Sequence, residues 1–363
     1  MYKFAPILKT MVWGTESWVL SGVPGSESVV SEGPDAGRGL NDIWAACMAP
    51  ASAGSPAASG SLNRGTMLPG SPGGTGALNR GTMLPGSPGG TGAEFPLLIK
   101  FIDAKRDLSI QVHPDDELAM RRHGCNGKSE MWYIIGAEKD AHLLCGLKEK
   151  ISPEEYARLV EEDRITEVLC DYKVAPGDVF YLPAGRIHAI CGGCYLAEIQ
   201  QTSDITYRIY DYGRPGLDGK PRQLHTELAK EAIDYSVLPD YRTSYAPVEE
   251  GTSELVRCPH FTTALHRYSR PATLSAEGCG DFLIVIGIEG KAILRPCGPG
   301  TMAPSQVLPG GQTARPALTL RPGEAVLVPA ADAPLEIIPT GTAPREIIPT
   351  GTAPRVTLLT THL

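Results

Sequence analysis

From Phe95 onward the chain is written in short β-rich runs separated by turn residues: LLIKFIDA, LSIQVH, EMWYII, AHLLCG, DVFYLP, YLAEIQQ and TYRIYD. Strands at this close spacing point to a sandwich or barrel. One clear helix interrupts them, where Ser152 caps, Pro153 takes the first helical position and Glu155 completes a capping box ahead of YARLVEE. Another follows Thr226 in ELAKEAIDY. Beyond a linker around Ser236 to Ser253 a second β series begins, with FTTALHRYS, DFLIVIGIEGKAILR, LTLRPGEAVLVPA and VTLLT, and predicts a second, smaller all-β domain.

Residues 50–93 cannot belong to either β unit. They hold twelve glycines, six prolines and only two charges, Arg64 and Arg80, a composition that builds neither a core nor a regular helix. Within them LNRGTMLPGSPGGTGA at 62–77 is repeated letter for letter at 78–93, and EIIPTGTAPR at 336–345 recurs at 346–355. Solenoid units drift and carry an apolar stacking face, so these perfect copies read as duplications without chemistry. The chain thus divides into an N-terminal β segment joining the first barrel (1–49), a Gly/Pro-rich repeat loop (50–93), a metal-binding catalytic domain (94–235), a linker (236–253) and a C-terminal β domain (254–363).

The net charge of −8 argues against general nucleic-acid binding. No apolar run approaches the roughly 20 residues of a membrane-spanning helix, and MYKFAPILKT lacks the apolar stretch of a signal peptide. Nine scattered cysteines resemble reduced thiols more than a disulfide framework, so the expected location is the cytoplasm.

Alternation in LSIQVHPDD puts Ser109, Gln111 and His113 on one strand face and Leu108, Ile110 and Val112 on the other. EMWYII contributes Glu130, and GDVFYLPAGRIHAI brings His188 just after a Pro-Ala-Gly turn. An amide oxygen, two imidazoles and a carboxylate form a mixed N/O set suited to Zn²⁺ or another divalent first-row ion, with a position left for substrate or water. A lone strand histidine is more often a hydrogen-bonded core or surface residue; the joint pattern carries the reading.

Gly177, Pro183, Gly185 and His188 stand at the spacing of the second cupin motif, and Gln111-Val112-His113 followed by Glu130 resembles the first, with glutamine for its first histidine. KFIDAKRDLSIQVHPDDELA, GKSEMWYI, GDVFYLPAGRIHAI and LAEIQQTSDITYRIYDYGR are similar to the motif blocks of type I phosphomannose isomerases in their short bacterial form. The likeness is almost continuous from Phe95 to Tyr235 and weaker through SWVLSGVPGSESVV and the C-terminal β domain. It implies a mainly β fold: a double-stranded β-helix (cupin or jelly-roll) barrel with a few helices, followed by a smaller cupin-like β domain. It further implies one Zn²⁺ per chain on Gln111, His113, Glu130 and His188, and interconversion of mannose 6-phosphate and fructose 6-phosphate. The family's catalytic arginine matches Arg208 and its active-site lysine matches Lys128, while Lys100 stands where the family has another basic residue facing the pocket. Lys100, Ser109 and Glu198 are the expected substrate-binding residues. The implied partner is a small phosphorylated sugar, not nucleic acid or membrane, with monomer or homodimer left open.

Such an isomerisation moves a proton between C2 and C1 through a cis-enediolate. A metal polarises the two oxygens, and a fixed cation such as Arg208 stabilises the developing oxyanion. Lys100 and Lys128 are candidate cations for the phosphate. Glu198, His188, Lys128 and a metal-bound water are all chemically able to carry the proton. The competing role for Arg208 is an ion pair with Asp204 or Asp211, and the competing function is a non-catalytic or degenerate metal- or sugar-binding cupin.

Other signals are weaker. GCNGKS lacks the first P-loop glycine, which would fall at Arg122. Cys191-Gly192-Gly193-Cys194 has redox or metal spacing without a second pair and reads as a hairpin turn, and His225, His260 and His266 lack partners at ligand spacing.

Overall fold

The computed structural model describes residues 1–48, 94–297, 316–341 and 354–363. The repeat loop expected at 50–93 lies outside the described residues, as does most of the second EIIPTGTAPR copy. Among the described residues the fold is mainly β, with four α-helices and four antiparallel sheets.

A six-stranded sheet sits near the middle of the molecule, in the order Val179–Leu182, Glu130–Ala137, Cys194–Gln201, Leu97–Ala104, Gly14–Leu20 and Ile7–Met11. Its apolar residues are needed on both faces. Along Leu97–Ala104 the side chains of Leu97, Ile99 and Phe101 enter one core, while Ile102 and Ala104 enter another. Period-two alternation therefore does not show as alternating polarity, and the strand reads LLIKFIDA.

The second of these cores also takes Leu143, Cys145 and Ile190 from a five-stranded sheet, ordered Tyr207–Tyr210, Ile110–Val112, His188–Ile190, His142–Leu147 and Leu169–Lys173. The two sheets face each other as the walls of the first barrel. The helices Asp116–His123, Pro153–Glu161 and Thr226–Ala232 cover the outer side of the five-stranded sheet through Leu118, Tyr156, Leu159 and Ala229. The first core continues into a seven-stranded sheet through Leu265, Phe282, Ile284 and Leu359, and that sheet pairs face to face with a four-stranded one around Leu283, Val285, Leu294 and Ile337. This is the second barrel, as expected of a two-cupin chain.

Four sequence expectations need correction. The N-terminal segment does not join the first barrel alone: Ile7–Met11 and Gly14–Leu20 do, but Tyr2–Phe4 and Val30–Glu32 pair into the seven-stranded sheet, with Tyr2 opposite Leu327. Nor is it all β, because Leu40–Met48 is a helix whose Trp44 packs edge-on against Phe95 and Phe282 at 5.4 and 5.3 Å between ring centroids. The segment between the barrels is not a free linker. Tyr241 donates its hydroxyl to the Leu147 carbonyl at 3.0 Å and Tyr245 donates to Gly177 at 2.8 Å, which straps it to the first barrel. Finally, Cys191 to Cys194 is no hairpin: it joins His188–Ile190 of one sheet to Cys194–Gln201 of the other, and its two thiols enter different cores.

Candidate active site

Strand pairing builds two rows of side chains that face each other across the first barrel. In the five-stranded sheet Arg208 is the register partner of Gln111, and Gln111 of His188. In the six-stranded sheet Trp18, Lys100, Glu198 and Trp132 are successive register partners, and Glu130 lies two residues before Trp132 on the same face. Residues on neighbouring strands at one register share a face, so pairing alone gathers most of the expected site.

His188 arrives through the turn after Leu182. Gly185 there has φ +89°, a conformation that L side chains rarely adopt, and a Cβ would come within 3.0 Å of the Ala232 carbonyl. Its N–H donates to the His113 carbonyl at 2.8 Å, tying the loops of the two histidines together.

One donor atom each from His113, Glu130 and His188 lies within 4.8 Å of the others, and all three side chains are buried. His113 Nε2 is 3.6 Å from Glu130 Oε2, and His188 Nε2 is 3.3 Å from Glu130 Oε1. Both rings are held in one tautomer. His113 Nδ1–H donates to the Ile205 carbonyl at 2.8 Å and His188 Nδ1–H to the Arg186 carbonyl at 2.9 Å, so each Nε2 keeps its lone pair toward the cluster. Gln111 completes the group, its amide nitrogen 3.3 Å from His188 Nε2; a half-turn of that amide presents the oxygen instead. Ser109 donates its hydroxyl to Gln111 Oε1 at 3.4 Å.

The electrostatics describe a pocket shaped for a cation. Glu130 is 0% exposed and its Oε1 has no hydrogen-bond partner. Burial, then the neighbouring Glu198 charge, pushes its carboxyl up to about 7 against the pull of Lys128. Burial, then the Lys128 charge, pushes His188 down to about 3 and His113 well below the ordinary imidazole range. Two neutral imidazole lone pairs, an orphaned buried carboxylate oxygen and a nearby amide are the donor set that a divalent ion satisfies, and ligands of a tetrahedral ion with bonds of about 2.0 to 2.2 Å stand at about this spacing. These residues fit a metal.

Around this cluster the other expected residues take distinct places. Lys128 Nζ pairs with Glu130 and donates to His113 Nε2 at 3.1 Å. Lys100 pairs with Glu198 at 3.0 Å, and Trp132 donates its indole N–H to the other Glu198 oxygen, also at 3.0 Å. Burial alone would raise the Glu198 carboxyl, but Lys100 and Lys128 hold it down at about 2. Burial likewise works against the Lys100 charge, yet Glu198 and Glu16 keep its ammonium above the ordinary lysine range.

Arg208 donates from Nη1 to the Gln223 carbonyl at 2.9 Å, and its Nε is buried without a partner. Among the described residues it forms no ion pair. Asp211 is occupied by Arg214 and Arg222 instead, which removes that competing role.

The sequence reading did not single out Trp132, which orients Glu198 and packs edge-on against His188 at 5.2 Å between ring centroids. Alternation from Glu130 would have found it. It also set His225 aside, although His225 pairs in both directions with the Arg208 backbone. No local signal reveals that contact. A separate cleft of about 930 Å³, lined in part by Ser17, Phe101, Tyr195, Ile288 and Arg321, lies on the other face of the six-stranded sheet and includes none of the metal donors.

The family model for the catalytic domain of type I phosphomannose isomerase matches residues 82–144. The mannose-6-phosphate isomerase ManA of Bacillus subtilis is 40% identical over 200 residues, covering 54% of this chain and 62% of that protein. The mannose-6-phosphate isomerase of Streptococcus mutans is 33% identical over 198 residues with the same two shares, so the matched stretch spans about three fifths of each relative. In structure, the mannose 6-phosphate isomerase from Bacillus subtilis superposes with a TM-score of 0.72 at 26% identity, over 100% of this chain and 99% of that one. With the motif blocks in register and both barrels superposing on that enzyme, the chain is similar in sequence and in fold to the type I phosphomannose isomerases.

Proposed function

We propose that this chain interconverts mannose 6-phosphate and fructose 6-phosphate through a cis-enediolate, with one zinc ion held by Gln111, His113, Glu130 and His188. The observation that carries the reading is the convergence of two tautomer-locked imidazoles on the buried, unpartnered oxygen of Glu130. When bound, such an ion supplies Lewis-acid polarisation of the sugar's C1 and C2 oxygens.

The chain's own residues divide the rest. Arg208, tethered by one guanidinium nitrogen and free at a buried Nε–H, is a fixed donor for the oxyanion that develops. Lys128 is the second cation beside the reacting carbons. Glu198, with both oxygens engaged and its carboxyl held near 2, is a poor proton acceptor at neutral pH. It serves as the buried counter-ion of Lys100 at 3.0 Å, with Lys128 at 3.8 Å from the same oxygen. Lys100 is spent on Glu198, which supports a positioning role over a phosphate contact. All nine cysteines are free thiols, in keeping with a reducing compartment, and we place the enzyme in the cytoplasm.

The test is a coupled assay for fructose 6-phosphate formed from mannose 6-phosphate, run before and after chelation and again with zinc restored. Turnover that disappears with the metal and returns with it is expected. A protein that binds zinc stoichiometrically and turns nothing over would instead be a non-catalytic metal- or sugar-binding cupin.

A further inference from the structure

Arg208 owes its placement to chain that leaves the sheet and returns. Asp211 follows the strand Tyr207–Tyr210, a hairpin marked by the Pro215–Pro221 bridge comes next, and the backbone comes back alongside Arg208 at Gln223 to His225. There the His225 N–H donates to the Arg208 carbonyl at 2.7 Å, the Arg208 N–H donates to His225 Nδ1 at 3.1 Å, and the Gln223 carbonyl accepts from Arg208 Nη1 at 2.9 Å.

The register of that return is set by one carboxylate. Asp211 is 5% exposed. On the outgoing side its Oδ1 accepts from Arg214 Nε at 3.0 Å and Nη2 at 2.8 Å. On the returning side Arg222 reaches it with a fork, Nε to Oδ2 at 2.7 Å and Nη2 to Oδ1 at 2.5 Å. Bidentate, charge-assisted contacts of this kind fix direction as well as distance. Arg222 is the immediate neighbour of Gln223, so the clamp on one residue places the carbonyl of the next. The same carboxylate also bears on Arg208 itself: after burial, the Arg222 and Arg214 charges disfavour the Arg208 guanidinium charge, and Asp211 favours it.

We propose that Asp211 is a positioning residue for Arg208: by clamping Arg214 and Arg222 across the base of the excursion it sets the Gln223 carbonyl that holds the Arg208 guanidinium in the pocket. The inference rests on the reading of Arg208 as the cation for the developing oxyanion. It assigns no substrate contact to Asp211.

The experiment is a mutant cycle on the zinc-loaded full chain, measuring kcat, KM and zinc stoichiometry for Asp211→Asn, Arg208→Ala and the double variant. Asp211→Asn is expected to lower kcat by roughly ten- to hundred-fold, the scale of a misplaced catalytic group, with KM changing less and zinc content unchanged. The double variant is expected to be no slower than Arg208→Ala alone, because groups that act as a unit are not additive. Arg222→Gln breaks the same clamp from its more exposed side and should reproduce the kcat loss and the non-additivity; it decides the matter if Asp211→Asn does not fold. Wild-type kcat in folded Asp211→Asn or Arg222→Gln, or losses that multiply with that of Arg208→Ala, overturns the inference while Arg208 keeps its role. Near-normal kcat in Arg208→Ala overturns the role of Arg208 and this inference with it.

Discussion

Holding an ion and stabilising charge during reaction fall to different residues, and two substitutions separate them. His113 directs a fixed lone pair at the cluster, so His113→Ala should lose zinc and turnover together. Arg208 meets the charge only as it develops, so Arg208→Ala should keep its zinc and lose roughly 10²- to 10³-fold in kcat, about 3 to 4 kcal/mol, the size of one missing oxyanion donor. Metal analysis beside kcat distinguishes the two, and an Arg208→Ala protein that loses zinc would return the arginine to a structural role. At this scale the sequence was legible where spacing is local: Gln111 and His113 share a strand face by alternation, and His188 follows its turn. The partners that make these residues competent were not legible, since the carbonyl fixing His113 comes from Ile205 and the counter-ion of Lys100 from Glu198, far away along the chain.

Among the elements, the helix Pro153–Glu161 could be read from its first residues because a cap is a contact within one turn. Ser152 Oγ accepts the Glu155 N–H at 3.1 Å as the pattern requires. Ser152→Ala should cost about 1 kcal/mol, seen as a lower denaturant midpoint at unchanged slope, with kcat unaffected; an unchanged midpoint would show that the cap contributes nothing here. The helix Leu40–Met48 could not be read in this way. Its Trp44 is buried edge-on against Phe95 of one barrel and Phe282 of the other, and a short apolar stretch carries no mark of where its cover comes from.

For the whole molecule, acid stability provides a test in the second barrel. His266 is buried, with Nε2 against the Thr360 hydroxyl at 2.8 Å and Nδ1 against that of Thr252 at 2.9 Å, and burial pulls its pKa down to about 4. Above the unfolded value of 6.5 both states are neutral and the histidine adds no pH dependence. As pH falls from 6.5 toward 4 the unfolded chain takes up a proton that the folded chain refuses, so stability declines by about 3 kcal/mol over that window. Urea midpoints at several pH values should show a shallower decline for His266→Gln than for the wild type; parallel declines would exclude His266 as a source.

What the sequence determined by itself about this protein was local: β-rich runs at barrel spacing, one capped helix, and ligand types at cupin intervals. Alternation and capping act over one to four residues, so they survive being read in one dimension. Only the tertiary structure decided that the N-terminal strands divide between two sheets, that Lys100 and Glu198 neutralise one another in the pocket, and that Asp211 clamps Arg214 and Arg222 rather than Arg208. Each depends on which distant strand arrives opposite at which register. A buried charge is stable only beside the partner that this register delivers.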